Sequence, residues 1–382
     1  MKKLISILLC VLLLTQAALA ANTADAAKAA ALSAAAGEKA LAGVEGNLLS
    51  QQELFPAGSS VCDWTAIAYA MLGVEDDTAA YLAAENAYIS ERFAADRTGR
   101  DPYATEWQRA ALTVRALGGD PTKAGTEGKI DLIAGGTYNF AGKSLDMQGL
   151  NGYIFALIAL DSGEYKVPEN ARYTREDILN AILSAQEDDG GFGLVPGASD
   201  ADITAMALQA IAPYADGAAR DAVEKGVSYL AGKITDEALF EYAGSPTSES
   251  SSQVIIALCS LGVDPTGDER FIKDGISVVD ALIKNYQRSD GSFAHLREDA
   301  DGDFMATEQA MLALTAVWKY RCGGVRLYDM VTQLNIPTET TETAAAENES
   351  TGGNTIVIIG AAAVAVIAAA VVTLKHKKEK NS

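Results

Sequence analysis

Five acidic residues stand near the starts of runs built from small and apolar residues: Asp63, Glu106, Asp202, Glu249 and Glu308. If those runs are parallel helices, their starts gather at one end and the carboxylates ring a single opening. Complementation of the helix dipole explains one acid near each start. Five acids converging exceed what stability needs, and the free backbone N–H groups of the helix starts make the opening a polar pocket. Trp64, Trp107, Gln148, Gln253, Phe304 and Gln309 lie beside the same starts. These residue types suit a polar or cationic small molecule, or a peptide. Structural roles compete for the same positions: Asp202 has the type of an N-cap, Gln148 and Asn151 can cap a helix, and Trp64 and Trp107 can be core residues. No metal site is expected. The only histidines are His295 and His376, and neither Asp nor a second Cys stands at ligand spacing from Cys259.

The elements that must position these residues follow from hydrophobic pattern. The run from Ala201 to Ala212 is small or apolar on nearly every face, which requires burial on all sides. Similar runs recur six times, marked by Trp64, Trp107, Asn151, Thr204, Gln253 and Glu308, at spacings of 43, 44, 53, 49 and 55 residues. That period is one helical hairpin with its loops. Between the buried runs lie amphipathic ones, such as Arg175 to Ala185 and Val278 to Tyr286, with apolar residues at i, i+3, i+4 and i+7. They predict an outer layer. Gly118-Gly119-Asp120-Pro121 and Gly262-Val263-Asp264-Pro265 read as helix stops. Alternating β-branched runs are scarce, so an all-α fold is expected.

The chain ends predict an address. Met1-Lys2-Lys3, an apolar run from Leu4 to Leu14 and Ala18-Leu19-Ala20 form a signal-peptide pattern over residues 1–20. An Ala-rich lead-in covers 21–58, the helical domain 59–330 and a low-complexity stalk 331–354. Residues 355–374 are an uncharged apolar stretch of spanning length, followed by a basic tail at 375–382. The expectation is a single-pass protein of the cell surface, with an extracellular N-terminal domain, a C-terminal transmembrane helix in the membrane and a cytoplasmic tail. Without the lysines near both ends and Glu379, 24 basic and 50 acidic residues remain, about −26 in net charge. Nucleic acid and anionic lipid are therefore excluded as partners. Cys62, Cys259 and Cys322, an odd number, provide no complete disulfide framework.

Two stretches carry a family resemblance: Gln186 to Phe192 (Gln-Glu-Asp-Asp-Gly-Gly-Phe) and Gln287 to Phe293 (Gln-Arg-Ser-Asp-Gly-Ser-Phe). Both resemble the Gln-x-x-Asp-Gly-x-aromatic repeat of the terpenoid cyclase and protein prenyltransferase superfamily. The resemblance implies an (α/α)6 toroid of helical hairpins over 59–330. Asp200-Ala-Asp202-Ile-Thr204-Ala205 is similar to the Asp-x-Asp-Asp-Thr-Ala acid motif of class II terpene cyclases, with Ile203 in place of the third Asp. That likeness implies Asp202 as proton donor and Asp200 as its flank. Asp202 to Ala207 and Glu249 to Gln253 are also similar to inner-helix starts of cobalamin-transport barrels, which implies a corrinoid; otherwise no cofactor is expected. The zinc ligands of prenyltransferases and the Gly-Cys-Gly-Glu-Gln thioester motif of complement-like toroids are missing. The resulting expectation is a surface toroid that binds an unknown small molecule or a surface protein. The alternatives are a class II cyclase-like enzyme and a corrinoid-binding surface protein.

Overall fold

Helices alternate between two environments along this chain, and the alternation builds the architecture. The computed structural model describes residues 23–94 and 100–334. Helix α1 spans 23–42. It is followed by α2 (Ser60–Leu72), α3 (Thr78–Arg92), α4 (Ala104–Ala116), α5 (Leu132–Gly136), α6 (Asn151–Ser162), α7 (Arg175–Ser184), α8 (Ala201–Ile211), α9 (Arg220–Lys233), α10 (Ser248–Ser260), α11 (Val278–Tyr286) and α12 (Phe304–Arg321). The even-numbered helices hold the six buried runs. Each packs on the next, α2 on α4 through to α10 on α12, and α12 packs back on α2, closing a ring. Alanines such as Ala66, Ala111, Ala156, Ala207, Ala257 and Ala313 are buried on these helices. Their small side chains permit close helix approach without cavities.

The odd-numbered helices lie between consecutive ring members in sequence and carry the amphipathic pattern. On α11, Val278, Val279, Ala281, Leu282 and Tyr286 are buried. Helix α1 belongs to this set rather than to a detached lead-in. Tyr69 of α2 donates to the Ala35 carbonyl (2.8 Å), Lys39 pairs with Asp76 (2.9 Å), and Lys28 lies over the Trp318 ring of α12. At Gly37 a Cβ would fall 2.1 Å from the backbone nitrogen of Ser292, so this close approach needs glycine.

Strands among the described residues are short: β1 (Met147–Leu150) and the hairpins β2–β3 (Phe192–Gly193, Ser199–Asp200), β4–β5 (Glu241–Tyr242, Ser245–Pro246) and β6–β7 (Ile272–Lys273, Ile276–Ser277). The all-α expectation holds. In β2–β3 the register pairs Phe192 with Asp200, which fixes the entry to α8.

The two Gln-x-x-Asp-Gly-x-Phe segments form one and the same turn. Gly190 and Gly291 have φ of 85° and 98°, a left-handed conformation that glycine adopts without a Cβ penalty. Asp189 and Asp290 accept from the backbone nitrogens of Gly191 and Ser292. The side-chain nitrogens of Gln186 and Gln287 donate to the Gly190 and Gly291 carbonyls. Phe192 and Phe293 are fully buried, each contributing roughly 1.5–3 kcal/mol by area. Their backbone nitrogens donate to the hydroxyls of Thr204 (2.8 Å) and Thr307 (2.9 Å) in the next ring helix. A third, unmarked copy uses Phe240, whose nitrogen donates to Ser251.

The segment after α12 crosses the C-terminal ends of the ring helices. Lys319 donates to the carbonyls of Leu327 (2.7 Å) and Asp329 (2.9 Å), Arg115 donates to the Met330 carbonyl, and the Met330 nitrogen donates to Ser162. Tyr328 packs on Trp64, which also contacts Phe155.

The membrane assignment is corrected. No helix among the described residues is long and apolar enough to cross a membrane, and that overturns the expected single-pass surface topology. The stretch 355–374 that prompted it lies outside the described residues, as do the signal-peptide pattern at 1–20, the end of the stalk and the basic tail.

Candidate ligand-binding site

Three ring helices begin at one hollow of about 530 Å³, lined by Asp202, Met206, Tyr242, Thr247, Glu249, Gln253, His295, Asp303, Met305 and Gln309. Its helical wall is a set of i, i+4 pairs: Asp202 and Met206 on α8, Glu249 and Gln253 on α10, Met305 and Gln309 on α12. That spacing puts both members of each pair on one helix face. Tyr242 arrives on β4 and His295 on the loop after α11. Deeper in, a row of amides crosses the three helices. Gln209 donates to the Gln253 side-chain oxygen (3.0 Å), and Gln253 donates to that of Gln309 (3.1 Å).

The caps of these helices are supplied by other residues. Asp200 accepts from the Ile203 nitrogen (2.7 Å), Thr247 from that of Ser250 (3.2 Å) and Asp303 from that of Ala306 (3.0 Å). The orphan N–H groups that an N-cap serves are thus provided for. Asp202, Glu249 and Glu308 are carboxyl groups beyond those the caps require. The Oδ1 of Asp202 is buried with no hydrogen-bond partner, and so is the Oε2 of Glu308. Burial, helped by the Asp200 and Glu249 charges, pushes the Asp202 carboxyl up to about 6 against the nearby Ser250 hydroxyl. Glu308, 3 % exposed, is held well above the usual carboxylate range by burial and by Glu38, Glu249 and Asp303. Glu38 on α1 is raised in the same way, burial leading. Among the described residues, Glu249 alone of these acids has a basic contact, His295 Nδ1 at 2.9 Å. Burial raises Glu249, while the Glu249 hydrogen bond raises His295 above its ordinary value.

The other sequence candidates lie elsewhere. Asp63 is buried, accepts from Arg109 (2.8 Å), Tyr81 (2.8 Å) and the Gly58 nitrogen (2.9 Å), and sits beside Glu85. Glu106 closes a capping box with Tyr103 and binds Arg92 and Arg100. Trp64 packs between Phe155 and Tyr328, and Trp107 packs on Phe93 with ring centroids 4.3 Å apart. Gln148 accepts from Thr105. Phe304 is half-buried against the core, its neighbours Asp303 and Met305 lining the hollow instead. Of the five acids proposed to converge, Asp202 and Glu249 line the hollow, with Glu308 just behind it. Asp63 and Glu106 serve α2 and α4.

Met206, Tyr242, Thr247, Asp303 and Met305 escaped the sequence reading, and His295 was weighed there only as a metal ligand. Met206 and Met305 carry a legible signal, since each stands four residues from a polar wall residue on the same helix. Tyr242 is brought in by the β4–β5 hairpin and His295 by a loop, and no sequence periodicity reports that. A second hollow of about 600 Å³ lies beside β1 and the loop 193–196. Its acids Asp146 and Glu187 already accept from Ser144 and the Gly197 nitrogen, so it lacks the unpartnered carboxylate of the first. No group of His, Cys, Asp and Glu among the described residues is arranged to hold a metal ion. No protein-family model matches the chain, and no curated protein matches it in sequence.

Proposed function

We propose that this chain is a ligand-binding (α/α)6 toroid whose small-molecule site is the hollow at the starts of α8, α10 and α12. Ring closure by the six even-numbered helices and the paired glutamine–glycine–phenylalanine turns support the toroid reading. The observation that carries the binding reading is the Asp202 carboxylate, which lines a hollow of ligand size with one oxygen buried and unpartnered. Small-molecule pockets are about 300–1,000 Å³, apolar in body and furnished with a few oriented polar groups. Met206, Met305 and Tyr242 provide the body; Asp202, Glu249, His295 and Gln309 provide the polar groups. Native mass spectrometry of the purified protein with pooled amines, alcohols, carboxylates, isoprenoids, corrinoids and short peptides tests this. Retention of one class, lost when Met206→Trp fills the hollow, is expected; retention of nothing, or retention unchanged by Met206→Trp, contradicts it.

A second reading, proton donation by Asp202 to an isoprenoid, is favoured by the rise of that carboxyl to about 6, since a general acid works best with a pKa near the ambient pH. The wall works against it. Among the described residues Tyr242 is its only phenol or indole, whereas carbocations are stabilised by several aromatic faces. Conversion of a polyprenyl substrate by the native protein and not by Asp202→Asn would establish the enzyme.

A further inference from the structure

Resting on the reading of the α8–α10–α12 hollow as a binding site, we propose that its ligand is an organic cation bearing N–H donors, a primary ammonium on an apolar body. The argument starts from charge. Among the described residues no Lys or Arg pairs with Asp202, Glu249, Asp303 or Glu308. The basic groups nearest in sequence are engaged elsewhere: Arg297 pairs with Glu237, and Arg288 donates to the carbonyls of Tyr286, Leu296 and Asp299. The helix starts cannot absorb the excess, because Asp200, Thr247 and Asp303 already cap them. An anionic ligand would add like charge, and a neutral one would leave the carboxylates uncompensated.

Hydrogen bonding narrows the class. The buried Asp202 Oδ1 lacks a donor, and a carboxylate in that state gains most from a charged N–H group. A quaternary ammonium offers charge without a donor. A primary ammonium offers both, with room for Glu249 as second acceptor, Oε1 and Oε2 being shared with His295 alone. The apolar body then lies along Met206, Met305 and Tyr242. Met305 and Tyr242 are exposed as large apolar side chains, at 49 % and 57 %. The titratable groups lining the hollow are Asp202 from α8, Tyr242 from β4, Glu249 from α10, His295 from its loop and Asp303 at the cap of α12, with Asp200 of β3, Glu308 of α12 and Glu38 of α1 behind them.

The test uses the whole protein and four ligands with one body: hexylamine, hexyltrimethylammonium, hexanol and hexanoate, measured by calorimetry at neutral pH. The amine is expected to bind about tenfold or more tighter than the alcohol, as a charge-assisted hydrogen bond allows. The quaternary ion should fall between them and the carboxylate should not bind. Asp202→Asn should remove the amine preference, bringing amine affinity down to that of the alcohol. Amine binding should weaken as pH falls through about 6, where Asp202 takes up a proton, and this pH dependence should flatten in the variant. Equal affinities for amine and alcohol, or an amine preference that survives Asp202→Asn, overturn the cation assignment while the site itself stands. Binding of none of the four while another chemical class fills the hollow also overturns it. Binding of no class at all removes the site and the cation together.

Discussion

Two sets of helix starts in one ring treat buried acid in opposite ways. At α2 and α4, every carboxylate meets an arginine: Arg109 holds Asp63, and Arg92 and Arg100 hold Glu106. Glu85 follows from the same arrangement. Burial and the adjacent Asp63 charge drive it well above the usual carboxylate range. At α8, α10 and α12, Asp202, Glu249 and Glu308 have one half-exposed histidine among them. The first set is internally neutralised and finished. The second, among the described residues, has no arginine or lysine paired with it beside an open hollow, and that difference separates a structural acid from one available to a ligand.

The comparison is most easily broken at Arg109. Arg109→Ala leaves a buried carboxylate uncompensated, and such losses run to about 3–5 kcal/mol; urea denaturation should show a loss of that order, with no change in ligand retention at the hollow. A loss of ~0.5 kcal/mol would mean that the α2–α4 carboxylates are as loosely held as the others. At the small end stands His295→Ala. The histidine is about half exposed, so solvent screening limits its effect on stability to within ~0.5 kcal/mol. The sign is defined: a histidine raised by Glu249 stabilises the fold at acid pH and loses that contribution as pH rises through its folded pKa. The variant should therefore match the native melting temperature at pH well above neutrality and fall slightly below it in mild acid.

How far these roles were legible in sequence depends on whether a contact is local. The six buried runs and the glutamine–glycine–phenylalanine turns were readable because helical period and turn chemistry are encoded within a few residues. The Phe240–Ser251 copy was hidden because Ile234, Glu237 and Ala238 stand where the other two turns carry Gln, Asp and Gly. Helix α1 read as a lead-in because an Ala-rich segment has no strong moment; its place is set by Tyr69, Lys39 and the backbone of Ser292 far along the chain. The five acids looked alike in sequence, since each opens a helix. What distinguishes them is Arg109, Arg92 and Arg100 on one side and empty space on the other, and those are tertiary facts. Asp200 and Asp202 invited the same confusion: both suit a cap, and only the backbone entry from β3 makes Asp200 the residue that bonds Ile203.

The central claim is that Asp202 is retained at a cost to stability, as a site and not as a cap. Thermal unfolding of Asp202→Asn across pH measures it directly. An acid whose folded pKa lies at about 6, above its ordinary value of 3.8, destabilises the fold increasingly as pH rises between those values and fully above them. At 1.36 kcal/mol per unit, relief of that penalty is worth up to about 3 kcal/mol. The account predicts a variant with a higher melting temperature than the native protein at pH 7.5, converging with it near pH 4. A variant that melts lower at pH 7.5 would show that Asp202 is a structural residue, and would contradict the account.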